Sequence, residues 1–410
     1  MERIGIELEE AVRIITEAIQ PILETEMVTL EEAGGRIAAR SYCSQIDNPP
    51  FDRSPLDGYA FRSQDVKDAT SDAPVKLRVT RTLYAGDWYD KGVEAGEAVR
   101  IMTGAPIPPG ADCVIRQEET SLCQREPDVV LIPHSMKPYE NYCFQGEDTK
   151  NGTLLLSKGE VIGSIEQGIL ASAGIAQAEV YRKPRIALFV SGDELCSPGE
   201  ELKPGKIYDS NLCLLSGRMR ELGISPMVQK MAGDDPQEIA EEIKKVIGQA
   251  DMVITTGGVS VGAKDIFHQV LPLLGAKRLF WRVSMKPGTP AMFALFSGKP
   301  MLHLSGNPFA AAATFELLAV PALEKMTGDL RLAAKHKKAI LGVDFKKSGG
   351  RRFVRGRLER GTVTLPITQK HSSGILFSMK GCNCLVDLLP SKEPVKAGQE
   401  VDVVLLTNVW

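Results

Sequence analysis

Residues 251–265 combine glycines, small hydroxyl side chains and a carboxylate directly after a short apolar run. They read DMVITTGGVSVGAKD, and residues 252–254 are typical of a strand inside a parallel sheet. Gly257 and Gly258 allow a close backbone approach, so N–H groups of the loop and of a following helix can face an anion. The pattern lacks the Gly-Lys-Ser/Thr of a P-loop and the full dinucleotide-binding spacing. The loop alone fits an anion site and a tight strand-to-helix turn equally well.

Three other short stretches place glycines and carboxylates in a similar setting. They are SGDEL at 191–195, GDD at 233–235 and LSGNP at 304–308. Strand-like and helix-like runs alternate throughout 186–326, which predicts a parallel sheet covered on both faces. Ligands of such sheets bind at the carboxyl ends of the strands. Convergence from four strand ends favours an active site over turn chemistry in any single loop.

The elements of this region follow from apolar periodicity and capping residues. Asp235 and Pro236 are typical of an N-cap and a first helical turn, so we expect a helix over 236–247. The other expected elements are strands at 186–190, 226–231, 252–255 and 301–304, and helices at 210–222, 265–274 and 308–326.

The flanking regions differ in character from the centre. The first forty residues are predicted to be helical, with a second helix beginning near Thr29 and running to about Ala39. Many Pro, Gly and Asp residues between about Asn48 and Glu160 indicate β-rich structure with long loops, and short alternating runs after Arg331 indicate a small β-barrel or sandwich. The expected strands of these regions lie at 76–80, 98–102, 129–132, 339–343, 363–366, 384–388 and 401–405.

The composition is that of an ordinary globular protein of two to four domains. The chain has 410 residues, 43% of them hydrophobic and 25% charged, and a net charge of −3 that gives no general attraction to nucleic acid. Residues 331–360 hold eleven Lys or Arg and two Asp or Glu, a local +9 that leaves −12 elsewhere. This block suggests an anionic ligand or partner near the C-terminal part, although charge alone favours a solvated surface.

The sequence predicts a cytoplasmic protein that is not in a membrane. The acidic, amphipathic N-terminus differs from a signal peptide, and no apolar stretch reaches the ~18 residues that span a bilayer. Eight scattered cysteines are expected to be reduced thiols. We interpret the close pair Cys382 and Cys384 as packing residues rather than metal ligands.

Seven motifs in one order resemble those of a known family. They are NPPFDRSPLDGYAFR (48–62), VRIMTGAPIPPGADCVI (99–115), SGDEL, DSN (209–211), TTGGVSVGAKD, MKPGTP (285–290) and SGNPFAA (305–311). Together they resemble the MoeA family, the molybdenum-insertion enzymes of molybdenum cofactor biosynthesis, which are related to the E-domain of gephyrin. The resemblance implies a reaction in which adenylylated molybdopterin releases AMP and receives molybdate, with Mg²⁺ assisting.

The residue types suit such chemistry, because both reactants are anions. Carboxylates would repel them unless a divalent cation lies between, and oxygen ligands are those Mg²⁺ prefers. The resemblance implies catalytic residues, substrate-binding residues and metal ligands. The catalytic set is Asp57, Thr103, Glu194, Asp265 and Lys286; the substrate-binding set is Gly257, Gly258, Ser260, Arg282, Pro308, Arg352, Arg355 and Ser373; the metal set is Asp57, Glu194, Asp234, Asp235 and Asp265. Each has a structural alternative: Asp57 can be a turn residue and Asp235 only a helix cap.

Three positions depart from the best-known form of the pattern. Arg282 replaces a lysine and keeps the charge, whereas Thr289 removes one positive charge. Ser305 stands where that form has a proline before GNP.

The resemblance also implies an architecture and partners. We expect an N-terminal linker or helical domain (1–47 and 142–180), an inserted β-rich domain (48–141), a MogA-like parallel α/β domain (181–328) and a small C-terminal β-barrel (329–410). A homodimer is implied, in which the TTGGVSVGAKD loop of one chain meets Arg352 or Arg355 of its partner. A MogA-type adenylyltransferase is a further implied partner.

Two other functions remain open. The central domain resembles a MogA-type adenylyltransferase, although GGTG would be expected where Gly257-Gly258-Val259-Ser260 stands. A non-catalytic, gephyrin-like scaffold is the third possibility.

Overall fold

The computed structural model describes residues 3–259, 266–346, 348–366 and 372–406. The chain divides into two compact units. One comprises Met1–Glu26 with Tyr181–Trp410, and the other comprises Met27–Val180.

Helices and strands are numbered in chain order. The described helices are α1 (Leu8–Ala18), α2 (Leu30–Ala33), α3 (Ser164–Ser172), α4 (Asn211–Glu221), α5 (Pro236–Ile247), α6 (Phe267–Leu274), α7 (Pro308–Thr314) and α8 (Val320–Thr327). The described strands are β1 (Arg3–Ile6), β2 (Thr25–Thr29), β3 (Tyr42–Cys43), β4 (Gly58–Phe61), β5 (Val75–Leu83), β6 (Glu97–Ile101), β7 (Cys113–Arg116), β8 (Ser121–Cys123), β9 (Glu126–Ile132), β10 (Leu154–Leu156), β11 (Gln177–Tyr181), β12 (Ile186–Ser191), β13 (Leu195–Cys196), β14 (Ile207–Tyr208), β15 (Val228–Ala232), β16 (Met252–Thr256), β17 (Lys277–Val283), β18 (Met292–Phe296), β19 (Lys299–Leu304), β20 (Lys335–Leu341), β21 (Arg352–Glu359), β22 (Thr362–Thr364), β23 (Cys384–Leu388) and β24 (Glu400–Leu405).

A seven-stranded sheet forms the centre of the first unit, in the order β1-β17-β18-β19-β16-β12-β15. Strands β12, β15, β16 and β19 run parallel, as the sequence predicted. Strand β18 is antiparallel to both of its neighbours. Ser297 and Gly298 join β18 to β19, and positive φ values at both residues give the turn that matches the twist of a hairpin. The sheet is therefore mixed rather than wholly parallel.

Helices cover both faces of this sheet. One apolar core contains Leu188, Ile254 and Leu302 together with residues of α1, α4 and α7, and the opposite core contains Phe189 and Val253 with residues of α5 and α6. This alternation of buried side chains along β12 and β16 is the reason both strands read as continuous apolar runs. Helix α5 spans the expected residues, with Asp235 as its N-cap.

The first residues, Met1–Glu26, group with this unit, whereas the rest of the segment expected as an N-terminal domain lies in the other unit. Strand β1 pairs parallel to β17 at the sheet edge. Leu8, Ala11 and Ile15 of α1 are buried in the same core as the central strands. The apolar stripe therefore closes the α/β core, a long-range contact that local periodicity does not reveal. The second predicted helix is also shorter than expected, because α2 ends at Ala33 rather than near Ala39.

The long helix expected at 308–326 is interrupted by a π-helical turn at Phe315–Ala319. Glu316 of this turn is buried and accepts hydrogen bonds from Arg218 of α4, with Nε to Oε1 at 2.6 Å. The ion pair joins α4 to the helix that begins beside the strand ends.

The C-terminal residues form a closed barrel in the order β20-β22-β21-β23-β24. Cys384 lies in its core and Cys382 is buried beside it, in agreement with the packing interpretation. Strand β21 was not among the expected strands, because its sequence RFVRGRLE contains four charged residues and a glycine without a regular polar–apolar alternation.

The second unit contains a six-stranded sheet in the order β7-β4-β6-β5-β9-β8. It also contains the pair β10-β3, while β2 pairs with β11 where the chain enters and leaves the unit. The strands expected at 76–80, 98–102 and 129–132 lie within β5, β6 and β9. The predicted fold class, a multidomain α/β protein with a β-rich N-terminal part and a small C-terminal barrel, is confirmed. No helix in the described ranges is long and apolar enough to cross a membrane.

Candidate active site

A cavity of about 870 Å³ opens at the carboxyl ends of β12, β16 and β19, as the sequence predicted for such a sheet. The turn after β17 and the beginning of β21 complete its wall, so the barrel contributes to the same cavity as the sheet. All of these elements belong to the first unit.

The two adjacent glycines of the opening motif line this cavity. Gly257 has φ of +97°, and a Cβ there would lie 2.2 Å from the carbonyl oxygen of Ser191. Gly258 has φ of +65° and packs against Phe267 and Ile266. The Gly257 N–H donates to the Leu304 carbonyl at 3.2 Å, so this amide serves the sheet rather than an anion. The close approach of this loop to the Ser191 backbone therefore requires glycine. Ser260 and Asp265, two other predicted site residues, lie outside the described residues.

Two carboxylates predicted at this edge line the cavity, and a third does not. Glu194 and Asp234 are lining residues. Asp235 instead caps α5, since its Oδ1 accepts from the backbone N–H of Gln237 at 2.7 Å and of Glu238 at 3.3 Å. The geometry thus separates the two aspartates, with Asp234 beside the cavity and Asp235 at the helix start.

A positively charged wall faces the cavity from the turn after β17 and from the barrel. Lys286, Lys346 and Arg352 line it, and no described carboxylate forms an ion pair with any of the three. Backbone hydrogen bonds hold Lys286 next to β21, because its N–H donates to Arg351 at 3.0 Å and its carbonyl accepts from Phe353 at 2.7 Å.

Local contacts fix the MKPGTP turn that carries Lys286. A Cβ on Gly288 would lie 2.1 Å from Cγ2 of Thr314, so only glycine allows the turn to pack on α7. The Thr289 hydroxyl donates to the Met285 carbonyl at 2.5 Å and stabilises the turn from within.

Pro308 and Ser373 also line the cavity, as expected. They lie near one another because the N–H of Phe309, the residue after Pro308, donates to the Ser373 carbonyl at 2.9 Å. Arg352 and Ser373 therefore line the same cavity as Gly257 and Gly258 within one chain. The expectation that Arg352 or Arg355 meets the TTGGVSVGAKD loop of a partner subunit stays a prediction.

Two predicted substrate-binding arginines lie elsewhere. Arg355 is fully buried, donates to the carbonyls of Ser372 (2.9 Å) and Ile375 (2.5 Å), and stacks 3.9 Å above the Phe309 ring. Burial lowers its pKa to about 10. Its position between the barrel and α7 gives it a packing role, and it does not line the cavity.

Arg282 does not line the cavity either. Its backbone has φ of +68°, and its guanidinium lies 5.0 Å from the centre of the Trp281 ring. The left-handed backbone at Arg282 departs from strand geometry, so strand alternation does not predict the position of this side chain.

Asp57 and Thr103 form a local site in the second unit. Oδ1 of Asp57 accepts from the Thr103 N–H and from the Thr103 hydroxyl, each at 2.7 Å. The hydrogen bond from the Thr103 backbone lowers the pKa of Asp57 most, and the bond from the Thr103 hydroxyl lowers it further. The carboxylate is therefore ionised at neutral pH, and Oδ2 accepts no hydrogen bond from a described residue.

Sequence reasoning did not single out several polar cavity residues, among them Lys346, Ser191, Asp209 and Asn211. Asp209 is buried and caps α4, with Oδ1 accepting from the N–H of Asn211 at 2.8 Å. Asp209 and Asn211 belong to the DSN motif and Ser191 begins SGDEL, so the motifs contained the signal although the residues were not singled out.

The strand ends and the barrel thus line one cavity with three cations and with three carboxylates, those of Glu194, Asp209 and Asp234, and this arrangement suits a small anionic ligand. Three family models match in order along the chain. They are the MoeA N-terminal region, domains I and II (residues 6–174), a probable molybdopterin binding domain (187–325) and the MoeA C-terminal region, domain IV (338–406).

Relatives and solved structures agree over nearly the full length. A molybdopterin molybdenumtransferase of Staphylococcus aureus (strain COL) is 35% identical over 95% of both chains, and one of Staphylococcus epidermidis is 34% identical over the same shares. A crystal structure of the molybdopterin biosynthesis protein MoeA of Pyrococcus horikoshii is 32% identical, covers 99% of this chain and all of its own, and has a TM-score of 0.83. The chain belongs to the MoeA family.

Proposed function

We propose that this protein inserts molybdate into adenylylated molybdopterin, with Mg²⁺ assisting and AMP released. Membership of the MoeA family makes it a transferase of molybdenum cofactor biosynthesis. The observation that carries the finer proposal is the cavity at the strand ends, which is lined by three cations that form no ion pair with a described residue and by the carboxylates of Glu194, Asp209 and Asp234.

The cationic wall supports the binding of a dianion. Lys286 and Arg352 are held side by side through the backbone bridge between their segments, and Lys346 lines the same cavity. Unpaired cations on a partly enclosed surface attract phosphate or molybdate by charge-assisted hydrogen bonds. A scaffold protein has no need of such a wall, so the arrangement favours a ligand-binding role.

The carboxylates of the cavity fit a magnesium ion in the way phosphate-binding enzymes hold one. Mg²⁺ is bound by one or two carboxylates together with water and substrate phosphate, and Glu194 and Asp234 offer two such side chains. No cluster of three or more His, Cys, Asp or Glu side chains suited to a metal occurs within the described ranges. When bound, the ion neutralises phosphoryl charge. Asp235 is committed to its helix cap and does not belong to this set.

Further roles follow the family resemblance. We assign the ionised Asp57, held by Thr103, a role in turnover because its Oδ2 is open to a ligand. The proposal includes a homodimer, a MogA-type adenylyltransferase as supplier of substrate, and a cytoplasmic location. Eight free cysteines support the last of these.

The experiment measures AMP release and molybdate incorporation by purified protein with adenylylated molybdopterin, Mg²⁺ and molybdate. We expect turnover that requires Mg²⁺. Lys286→Ala should raise the molybdate concentration for half-maximal rate by roughly tenfold, since one charge-assisted hydrogen bond is lost. Lys299→Ala, at the first residue of β19 and outside the cavity, is the matched control.

Absence of AMP release by folded wild-type protein would contradict the proposed reaction and favour the scaffold. Formation of adenylylated molybdopterin from ATP would favour the adenylyltransferase. An unchanged molybdate dependence in Lys286→Ala would remove Lys286 from the oxyanion site.

A further inference from the structure

Two adjacent arginines at the beginning of β21 have different surroundings. Arg352 lines the cavity together with Lys286, whereas Arg351 does not line it. Successive side chains of a strand point to opposite faces, so only one of two neighbouring arginines can face a given ligand. The contacts of Arg351 therefore bear on which of the two cations the cavity receives.

Two carboxylates hold the Arg351 side chain. Its Nε and Nη2 donate to Oδ1 and Oδ2 of Asp387 at 2.9 and 2.7 Å, and its Nη1 donates to Oε1 of Glu9 at 2.7 Å. The guanidinium also lies 5.2 Å from the centre of the buried Phe353 ring. Bidentate contacts of this kind fix the direction of a planar guanidinium, so the side chain is tied to β23 and to α1 at once.

The backbone of Arg351 is joined to the turn that carries Lys286. The Lys286 N–H donates to the Arg351 carbonyl at 3.0 Å, and the Phe353 N–H donates to the Lys286 carbonyl at 2.7 Å. These bonds, one on either side of Arg352, form a parallel bridge between Lys286 and Arg352. A slip of one residue in this pairing would move Arg352 off the cavity face and put its neighbour there. An anchored Arg351 side chain therefore opposes the slip.

The carboxylates that hold Arg351 are not paired with the cations of the cavity wall. Among the described residues, neither Asp387 nor Glu9 forms an ion pair with Lys286 or Arg352. The side chains of Arg351 and Asp387 are only 13% and 10% exposed, so their attraction is screened less than that of a surface pair. Glu9 is 69% exposed and contributes less. Arg351 thus neutralises Asp387 and leaves Arg352 available to an anion.

We infer that Arg351 is a positioning residue for the anion site of the cavity. Arg351, Asp387 and Glu9, the Arg351 triad, set the register of β21 on the Lys286 turn. Through that register they direct Lys286 and Arg352 towards one oxyanion, while Arg351 itself does not touch the ligand. The inference rests on the proposed function in one respect, namely that molybdate binds at this cationic wall.

The test measures binding of molybdate alone by calorimetry, separately from turnover. Arg351→Gln and Asp387→Asn break the same ion pair but change the charge in opposite directions. A simple electrostatic effect would weaken molybdate binding in Arg351→Gln and strengthen it in Asp387→Asn. A positioning role predicts weaker binding in both, by about three- to tenfold, because each variant loosens the register.

Glu9→Gln is a milder variant of the same triad. Because Glu9 is largely exposed, its replacement should leave the protein folded and weaken molybdate binding only about twofold. Melting curves show whether each variant is folded. If the two less exposed positions do not tolerate substitution, Glu9→Gln alone distinguishes the two explanations, since a simple electrostatic effect would strengthen binding in this variant too.

A second ion triad in the same unit gives the matched controls. Arg182 is bidentate to Asp251 and also bonds to Glu24. The exposed fractions of these three side chains, 15%, 10% and 67%, match those of the Arg351 triad, and none of the three lines the cavity. Arg182→Gln and Asp251→Asn should therefore lower the melting temperature about as much as the triad variants do and leave molybdate binding unchanged.

The inference is overturned if Asp387→Asn or Glu9→Gln, once folded, binds molybdate as tightly as the wild type or more tightly. Equal weakening in the control variants, or no molybdate binding by folded wild-type protein, would overturn it as well. Wild-type protein that binds molybdate and is weakened by the triad variants, but releases no AMP, counts against the proposed reaction and not against the role of Arg351.

Discussion

Backbone sterics allow only glycine at some positions, and such a glycine orients the functional side chain next to it. Gly58 follows Asp57 in the DGYA motif and begins β4 between β6 and β7. A Cβ on Gly58 would lie 1.8 Å from the carbonyl oxygen of Ile115. The glycine therefore sets the position from which Asp57 reaches Thr103, and the motif reflects packing as well as chemistry.

Gly58→Ala is expected to destabilise the second unit by roughly 1–3 kcal/mol or more, because the β7 backbone must move to accept the methyl group. Chemical denaturation measures the change. Gly168→Ala is the control, since a Cβ at this position in α3 meets nothing within 4 Å, and it should stabilise by about 0.5–1 kcal/mol. Equal stability of Gly58→Ala and wild type would show that the strand tolerates a side chain.

At the scale of elements, neighbouring strands of the large sheet bury a polar pair beneath the cavity edge. His303 of β19 is opposite Thr255 of β16, and its Nδ1 lies 2.8 Å from the threonine Oγ1. The ring lies 4.2 Å from that of Phe267. Burial lowers the pKa of His303 to about 3, so the folded protein holds the neutral ring.

This depressed pKa predicts loss of stability in mild acid. A histidine in the unfolded chain has a pKa of about 6.5. The stability that depends on the neutral His303 ring is therefore fully present above that pH and is lost as pH falls towards 3. The slope is about 1.4 kcal/mol per pH unit for the one proton that the unfolded chain takes up. Urea unfolding of the first unit between pH 4.5 and 7.5 should therefore be less pH-dependent in His303→Gln.

His134→Gln provides the comparison. A hydrogen bond with the Ser135 backbone and one with Glu119 raise the pKa of His134, although partial burial opposes them. The stability that His134 contributes is present below the pKa of an unfolded histidine and is lost as pH rises. Its removal should therefore not reduce the loss of stability in acid. An acid slope in His303→Gln equal to that of the wild type would contradict the assignment to His303.

At the scale of the whole molecule, each apolar core draws its described residues from one of the two units. The cores of the second unit contain Phe61, Leu83 and Leu170, all buried. Those of the first unit contain Ile15 of the N-terminal helix together with central and barrel strands. A unit with its own cores has the main requirement for independent folding.

A fragment of residues 25–181, which keeps β2 and β11 whole, is therefore expected to fold alone. It should give a β-rich circular dichroism spectrum and unfold cooperatively in urea. Phe61→Ala should lower its stability by roughly 3–5 kcal/mol, because a fully buried ring is lost. A fragment that remains unfolded at low temperature would show that the first unit is needed for its structure.

The sequence by itself determined the elements with strong local signals and the family. Helix α5 and its Asp235 cap follow from neighbouring residues, and the strand ends that form the cavity follow from the alternation of strands and helices. Such features depend on contacts within a few residues, which a linear pattern records.

Only the tertiary structure decided the placement of residues whose contacts are distant in sequence. It placed β1 beside β17 and buried Arg355 against Phe309, while it brought Arg352 to the cavity of its own chain. It also left one buried polar atom of Asn211 and one of Ser191 without a hydrogen-bond partner among the described residues. The physical reason is that burial, register and hydrogen-bond satisfaction depend on long-range packing, and charge or motif spacing does not encode them.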